Sequence, residues 1–209
     1  IRAEGITDAA GKQKIITELY ERFFKLAFPR VAESMGIVYT PIEVVDFILR
    51  AVNDVLKKDF GASLSDEGVH ILDPFTGTGT FITRLIQSGL ISPHDLARKY
   101  ANELHANEIL LMAYYIAAIN IEATFHTALE EALDQEVADF APFNGIVLTD
   151  TFQMTEGKGS LEEQMFPDNN LRARKQRTVD IRVVVGNPPY SAQQDSENDN
   201  NKNLAYPTL

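Results

Sequence analysis

Two short motifs in this sequence of 209 residues combine residue types and spacings that could do chemistry. The first, Asp73–Phe81, reads Asp-Pro-Phe-Thr-Gly-Thr-Gly-Thr-Phe and lies between a predicted strand and a predicted helix. Gly77 and Gly79 allow the backbone to turn tightly and to approach a ligand, which the amides at the helix start can face. Ile82 stands where a dinucleotide site requires a third glycine, and the Gly-Lys-Ser/Thr of a phosphate-binding loop is absent. Because an aspartate at a strand end repels phosphate, the motif suits a ligand that carries an ammonium or sulfonium group.

The second motif, Asn187-Pro188-Pro189-Tyr190, directly follows a strand-like run of valines. Its two prolines remove two backbone donors and stiffen the turn. The side-chain oxygen of Asn187 and the carbonyl of Pro188 can therefore converge on one amino group as a pair of acceptors. Tyr190 supplies a flat face beside them. The motif predicts a site for a planar amine, with a rigid proline turn and a packing tyrosine as the alternative.

Composition and charge exclude several classes of protein. A chain with 44% hydrophobic and 23% charged residues is typical of a globular, core-forming protein. The absence of cysteine excludes a disulfide framework, Cys-ligated zinc and a thiol nucleophile, and the four histidines form no metal-ligand pattern. A net charge of −11 argues against non-specific binding of polyanions over the whole surface. No apolar run reaches the roughly 18 to 20 residues of a membrane helix, so we expect no membrane span. The absence of cysteine favours a reducing, cytoplasmic compartment, and the missing ligand pattern predicts that no metal is bound.

The hydrophobic pattern predicts helices that alternate with strands. Helical spacing of apolar residues is found in Lys12–Phe28, in the segment from Pro41 to Val55, in Phe81–Ile86, in Pro93–Arg98 and in Ala106–Ile121. Strands are predicted at Val69–Leu72, Lys99–Leu104, Gly145–Thr149 and Ile181–Val185. We therefore predict an α/β fold with a Rossmann-like, doubly wound, mainly parallel sheet, in which ligands lie outside the carboxyl ends of the strands.

Four local features of these elements are also predicted. Thr40 is the expected N-cap of the second helix, with Pro41 at its first position. The apolar helix Ala106–Ile121 is expected to be buried on most of its circumference. The polar stretch Thr155–Thr178 is expected to form a long surface loop, and the β-branched strand Ile181–Val185 to be covered on both faces.

Together the two motifs resemble those of the S-adenosylmethionine-dependent amino methyltransferases. In that family Asp-Pro-Phe-x-Gly-x-Gly forms part of the cofactor site, and Asn-Pro-Pro-Tyr holds the amine that is methylated. Tyr39-Thr40-Pro41-x-Glu43 resembles the family's upstream cofactor motif, and the order of the three motifs is similar to the gamma arrangement of adenine-N6 DNA methyltransferases. The string Tyr100–Glu122 further resembles the methyltransferase region of large single-polypeptide restriction-modification enzymes, type I-like (ISP) or type IIG.

The resemblance implies a role for each matching residue. It implies that S-adenosyl-L-methionine contacts these cofactor-binding residues: Thr40, Pro41, Asp73, Phe75, Gly77, Gly79, Glu103, Asp150 and Phe152. Glu103, expected at the end of the second strand, would accept hydrogen bonds from the ribose hydroxyls, with Glu108 as a competing candidate. Asp150 would accept from the adenine amino group of the cofactor. Phe152 would stack on that adenine or, about equally, pack in the core.

The implied reaction is methyl transfer to adenine N6 in double-stranded DNA, as the modification part of a restriction-modification system. Asn187 and Pro188 would accept hydrogen bonds from the target amine, and Tyr190 would stack on the adenine after it is rotated out of the duplex. The basic run Arg172–Arg177 either contacts phosphates or is a solvated loop. Further domains of the same polypeptide, for target recognition and for helicase or nuclease activity, are the expected partners besides DNA.

The implied organisation has three parts. Residues 1–38 are expected to form an N-terminal helical segment, whose Phe-rich stripe is a candidate surface for docking a neighbouring domain. Residues 39–192 are expected to form a partial methyltransferase core that stops after its fourth strand, and residues 193–209 a polar tail. From that boundary we expect the chain alone to transfer little or no methyl. Two alternatives stay open: a methyltransferase of a protein glutamine or an RNA amine, and a catalytically incomplete module that binds cofactor or DNA.

Overall fold

The computed structural model describes residues 40–135, 137, 141–151 and 167–188. Thr40–Asn187 form one compact unit, and Pro188 is grouped with a second unit that comprises Ile1–Tyr39 and Pro188–Leu209. Several sequence predictions lie outside the described residues, namely the helix at 12–28, Phe152, Pro189, Tyr190 and the tail at 193–209.

The described core is built on a four-stranded parallel sheet in the order β3-β2-β1-β4. Its strands are β1 (His70–Asp73), β2 (Leu104–Glu108), β3 (Ile146–Leu148) and β4 (Ile181–Val184). Helices connect consecutive strands, so the predicted α/β fold with a parallel sheet is confirmed. Because all strands run the same way, their carboxyl ends meet at one edge of the sheet, where ligands bind in folds of this kind.

Five helices accompany the described strands: α1 (Ile42–Val55), α2 (Thr80–Gln87), α3 (Pro93–Arg98), α4 (Leu111–Leu133) and α5 (Pro167–Arg177). Two π-helical turns, Leu56–Phe60 and Lys99–Glu103, extend α1 and α3. Helix α2 packs against both α1 and α4, and α5 packs on β3. The apolar faces of α1, α2 and α4 share one core with the sheet, in which Leu49, Ile71, Ile82, Leu104 and Ile121 are almost fully buried. In the part of the chain that the structure describes, no helix has both the length and the apolar character needed to cross a membrane.

The start of α3 follows the sequence prediction, and the segment after it does not. Ser92 caps the helix by accepting a hydrogen bond from the Asp95 backbone N–H, ahead of Pro93 in the first turn. The predicted strand at Lys99–Leu104 is wrong, because a π-helical turn continues α3 to Glu103 and the strand occupies Leu104–Glu108. All five residues of β2 are buried between β1 and β3. This tertiary burial overrides the helix-compatible local sequence that predicted a helix from Ala106.

Four further predictions need correction. Pro41, not Thr40, is the N-cap residue of α1, and no side chain caps this helix. Helix α4 is less buried than the predicted burial on most of its circumference, because one side of it carries Met112, Tyr115 and Ile119, which are about half exposed. The predicted loop at 155–178 contains α5, and its part at 155–166 lies outside the described residues. Strand β4 lies at the edge of the described sheet, and Val184 is 64% exposed, so the described part of the chain covers only one face of this strand.

Candidate functional site

The carboxyl edge of the sheet brings together side chains from distant parts of the sequence. Asp73 ends β1 and Glu108 ends β2. Asp150 follows β3, and Asn187 follows β4. Three of these four positions were predicted as site residues on sequence grounds, and Glu108 was the competing candidate for the ribose. The edge therefore carries the polar groups of the candidate site.

The glycine motif forms the turn that connects β1 to α2. Gly77 and Gly79 have φ angles of +57° and +89°, a conformation that favours glycine. Gly79 also lies against α4, because a Cβ at this position would come within 3.2 Å of Ile121 Cγ1. The Thr76 backbone N–H donates to the Asn107 carbonyl at 2.9 Å and joins the turn to β2. The turn is thus fixed to its neighbours on both sides while the backbone at Gly77 stays open.

Asp73 is fully buried at the base of this turn. Its Oδ1 accepts a hydrogen bond from the Phe75 backbone N–H at 3.1 Å, while its Oδ2 has no hydrogen-bond partner among the described residues. Burial raises the pKa of the Asp73 carboxyl to about 7, and the nearby charge of Glu108 adds to the rise against the Phe75 hydrogen bond. A buried carboxylate without a cation is costly. A ligand that brings a positive group or N–H donors would offset that cost.

Glu108 lies beside Asp73, and among the described residues its hydrogen-bond partners are backbone groups. Its Oε2 accepts from the Gly77 N–H at 2.8 Å, and its Oε1 accepts from the Leu110 N–H at 2.8 Å. Burial raises the pKa of Glu108, and the hydrogen bonds from these amides partly oppose the rise. Each carboxylate oxygen has a further lone pair. Glu108 can therefore accept hydrogen bonds from a ligand that lies along the glycine turn.

Glu103, predicted as the ribose ligand, lies at the opposite end of β2. It precedes the strand, and its carboxylate is bonded to Lys99 Nζ at 2.9 Å, to Arg98 and to the Gly68 N–H at 2.9 Å. Burial alone would raise the pKa of Glu103, but the hydrogen bonds from Lys99 and Gly68 and the neighbouring charges lower it overall. The expected position of Glu103 at the end of a strand is wrong, because the π-helical turn occupies the residues that were predicted as strand.

Two residues that sequence reasoning missed support the same edge. Thr151 donates from Oγ1 to the Pro74 carbonyl at 2.7 Å and accepts from Asn107 Nδ2 at 3.3 Å, which ties the segment after β3 to the glycine turn. Gly186 lies against Asp73, because a Cβ there would come within 2.6 Å of Asp73 Oδ1. The only sequence signal for Gly186 is its place directly before the Asn-Pro-Pro turn; Thr151 carries none.

Asn187 is positioned by β4 and by Thr40, which lies two residues before α1. The Val185 N–H donates to the Leu72 carbonyl at 2.9 Å and continues the β4 pairing with β1 toward Asn187. The Asn187 side chain donates from Nδ2 to Thr40 Oγ1 at 3.1 Å, across 147 positions of sequence. The structure therefore joins the upstream Thr-Pro motif to the Asn-Pro-Pro turn.

The remaining predicted residues are only partly placed. Asp150 and Phe75 are half-buried near this edge, and Pro41 and Pro188 are exposed. Phe152 and Tyr190 lie outside the described residues, so their stacking roles stay predictions. Among the residues that the structure describes, no group of three or more His, Cys, Asp or Glu side chains could hold a metal ion.

Comparisons with known proteins find a matching family and similar solved structures. The model of a protein family described as N-6 DNA Methylase matches residues 11–208. The solved structure of a nuclease-deletion mutant of the Type ISP restriction-modification enzyme LlaGI with a DNA substrate mimic is 54% identical over 99% of this chain, with a TM-score of 0.80. The ATP-dependent Type ISP enzyme LlaBIII bound to DNA is 52% identical over 99% of the chain, with a TM-score of 0.82. A DrdV–DNA complex is 44% identical over 98%, with a TM-score of 0.84.

The chain spans 16% of the LlaGI chain, 14% of the LlaBIII chain and 19% of the DrdV chain. A search of curated proteins gives no match. The family model covers nearly all of the sequence, including the glycine motif, the Asn-Pro-Pro-Tyr motif and every described strand. The chain therefore belongs to the N-6 DNA methylase family.

Proposed function

We propose that this chain supplies the cofactor site and the amine-binding turn of a DNA adenine-N6 methyltransferase in a restriction-modification enzyme. The observation that carries the proposal is the meeting of Asp73, Glu108 and Asn187 at one edge of the parallel sheet. Membership of the N-6 DNA methylase family and similarity to DNA complexes of restriction-modification enzymes support it.

The residues at this edge fit S-adenosyl-L-methionine. Asp73 offers a buried carboxylate whose Oδ2 has no hydrogen-bond partner among the described residues, and this acceptor suits the ammonium or sulfonium side of the cofactor. Glu108 offers acceptors for the ribose hydroxyls and replaces Glu103 in that role. Gly77 leaves the backbone open to the cofactor. We propose that Asp150 and Phe152 hold the adenine and that Phe75, Gly79 and Pro41 complete the site.

When bound, the cofactor supplies an electrophilic methyl group. The exocyclic amine of adenine is a poor nucleophile because its lone pair is delocalised into the ring. Asn187 Oδ1 and the Pro188 carbonyl accept hydrogen bonds from this amine, which shifts electron density back onto nitrogen. Holding the amine in line with the methyl group supplies much of the remaining acceleration.

The substrate of this reaction is double-stranded DNA with the target adenine outside the stack. The amine of a base-paired adenine lies inside the duplex and cannot reach the edge of the sheet where the strands end. The base must therefore be rotated out of the duplex. Tyr190 is proposed to stack on it. Target recognition, and any helicase or nuclease activity, would come from further domains of the same polypeptide.

The test is methyl transfer from labelled S-adenosyl-L-methionine to adenine in duplex DNA, measured with the longest natural polypeptide that carries this chain. Asn187→Ala should reduce kcat by at least about 100-fold, because the amine loses an acceptor in the transition state. The Kd for the cofactor, measured by calorimetry, should change by less than about twofold.

Asn102→Ala is the matched control, since Asn102 is exposed in the turn before β2 and should leave kcat unchanged. A protein that binds the cofactor and methylates a peptide glutamine or an RNA, but no DNA adenine, would contradict the proposed substrate. A folded protein that binds no cofactor would contradict the proposal as a whole.

A further inference from the structure

We infer that Thr40 is a positioning residue for Asn187, in addition to its place in the upstream cofactor motif. This inference rests on the proposed function, because it assigns Asn187 the role of acceptor for the target amine. Its basis is the hydrogen bond from Asn187 Nδ2 to Thr40 Oγ1, which spans 3.1 Å and joins two motifs 147 residues apart.

The direction of this hydrogen bond matters because the two ends of a carboxamide have opposite chemistry. Its oxygen accepts hydrogen bonds, and its nitrogen donates them. If Asn187 presented its NH₂ group to the target amine, two donors would face each other. The NH₂ group would then compete for the amine lone pair that must attack the methyl group. With Nδ2 engaged by Thr40, Oδ1 is the end left to accept from the amine. Thr40 thus favours the productive orientation of the Asn187 side chain.

The backbone around Asn187 is already fixed, so the side-chain torsions of Asn187 are what remains to be set. The Val185 N–H is bonded to the Leu72 carbonyl at 2.9 Å, two residues before Asn187. Gly186 lies so close to Asp73 that a Cβ would come within 2.6 Å of Oδ1. Pro188 follows and limits the backbone on the other side. The hydrogen bond to Thr40 therefore fixes the last torsions that decide which end of the carboxamide faces outward.

Thr40 is held in place by its own neighbour. A residue before proline is restricted to an extended backbone, which Pro41 imposes on Thr40. Helix α1 has no side-chain cap, so the hydroxyl is not used to cap that helix. By accepting from Asn187, the hydroxyl keeps its own proton for a second acceptor. The Thr40 hydroxyl is therefore available to hold Asn187.

The test compares Thr40→Val, which removes the hydroxyl at nearly constant volume, with Thr40→Ser, which keeps it. Thr40→Val should lower kcat for adenine methylation about tenfold, the cost of one lost hydrogen bond. Thr40→Ser should restore kcat to within about twofold of the unsubstituted protein. The cofactor Kd should change by less than about threefold in both variants, and the melting temperature should not differ between them.

A double-mutant cycle separates positioning from an independent effect. In an Asn187→Ala background, Thr40→Val should have no further effect on kcat, because the group that it positions is gone. Thr178→Val, at an exposed threonine after α5, is the matched control and should leave both kcat and Kd unchanged. Thr40→Ala serves as a second loss-of-hydroxyl variant if valine at this position unfolds the protein.

Four outcomes would overturn the inference. They are an unchanged kcat in Thr40→Val, a raised cofactor Kd with full kcat at saturation, a loss of folding that serine does not rescue, and additive effects in the cycle. All four leave the proposed function intact, since the unsubstituted protein still methylates adenine. An unsubstituted protein that binds cofactor but methylates no adenine would remove the proposed function and this inference with it.

Discussion

Glu103 and Glu108 are both buried, at 4% and 8% exposure, and lie at opposite ends of the same short strand. Glu103 is surrounded by Lys99, Arg98 and a backbone amide, and its pKa is lowered despite burial. The partners of Glu108 in the described part of the chain are backbone amides, and its pKa is raised by burial. The described residues thus compensate the charge of Glu103 with cations, and they offer no cation to Glu108.

This difference supports a structural role for Glu103 and the proposed ligand-binding role for Glu108. A buried acid whose charge is matched by its own cations ties elements together, as Lys99 does by also donating from Nζ to the carbonyls of Asp66 and Val69. A buried acid without a cation keeps acceptors for something outside the chain. At the carboxyl edge Asp73 has the same character as Glu108. We therefore propose that the amino edge of the sheet, where the strands begin, stabilises the fold, and that the carboxyl edge, where they end, binds the ligand.

The largest expected effect is on the amino edge. Glu103→Gln should lower the free energy of unfolding by about 3 kcal/mol, because the Lys99 ammonium would stay buried without its counter-charge. Denaturant unfolding measures this loss. Glu108→Gln is the matched variant at the other end of β2 and should cost about 1 kcal/mol or less, since burial already favours its neutral form. Equal losses in the two variants would break the comparison.

The next effect is on the carboxyl edge and concerns binding. Glu108→Gln should weaken the binding of S-adenosyl-L-methionine about 30-fold, because a charge-assisted hydrogen bond to a ribose hydroxyl is lost. Calorimetric titration of the cofactor measures it. Glu103→Gln, at a temperature where it remains folded, should bind within about twofold of the unsubstituted protein. Weaker binding in Glu103→Gln alone would return the ribose role to Glu103.

The third prediction is a pH dependence that arises from Asp73. Its pKa of about 7 means that the free site is partly protonated near neutrality. A cationic ligand favours the carboxylate, so cofactor affinity should rise between about pH 6 and about pH 8, by up to about tenfold per unit at the acid end. Asp73→Asn should bind weakly, and this rise should be absent or much reduced. An unchanged pH profile in Asp73→Asn would show that another group is responsible.

The same shift has a consequence for stability, with a definite sign. Because folding raises the pKa of Asp73 above its ordinary value, the contribution of this group is fully present in acid and is lost as the pH rises through about 7. Asp73→Asn should therefore be more stable than the unsubstituted protein at about pH 8, measured without cofactor. Stabilisation that appears only in acid would contradict the assigned burial of the charge.

The smallest effect tests whether burial, rather than pairing alone, makes the ion pairs of Glu103 important for the free energy of unfolding. Asp180 and Arg182, at the start of β4, form an ion pair at 3.7 Å with side chains that are 85% and 59% exposed. Asp180→Ala should change the free energy of unfolding by less than about 0.5 kcal/mol. Denaturant unfolding in low and high salt checks this value. A loss comparable to that of Glu103→Gln would show that exposure is not the deciding factor.

The sequence predicted the elements whose signals are local. The glycine turn, the cap and proline that start α3, and the runs that become β1, β3 and β4 could each be recognised from a few adjacent residues. The error at β2 arose because its residues carry no such signal. Ala106, Asn107 and Glu108 become a strand only because β1 and β3 flank them on both sides. With the strand misplaced, Glu103 received the role that the geometry favours for Glu108.

By itself the sequence determined the α/β alternation, through its hydrophobic pattern. It determined the two motifs as well, because glycine conformational freedom and proline stiffness are properties of the residues themselves. It also determined the family to which these motifs point. Only the tertiary structure decided which glutamate faces the ligand edge, that Gly186 makes room for Asp73, and that Thr40 holds Asn187. These outcomes depend on hydrogen bonds and close contacts between residues far apart in the chain. No local pattern records which partners the fold will bring within reach.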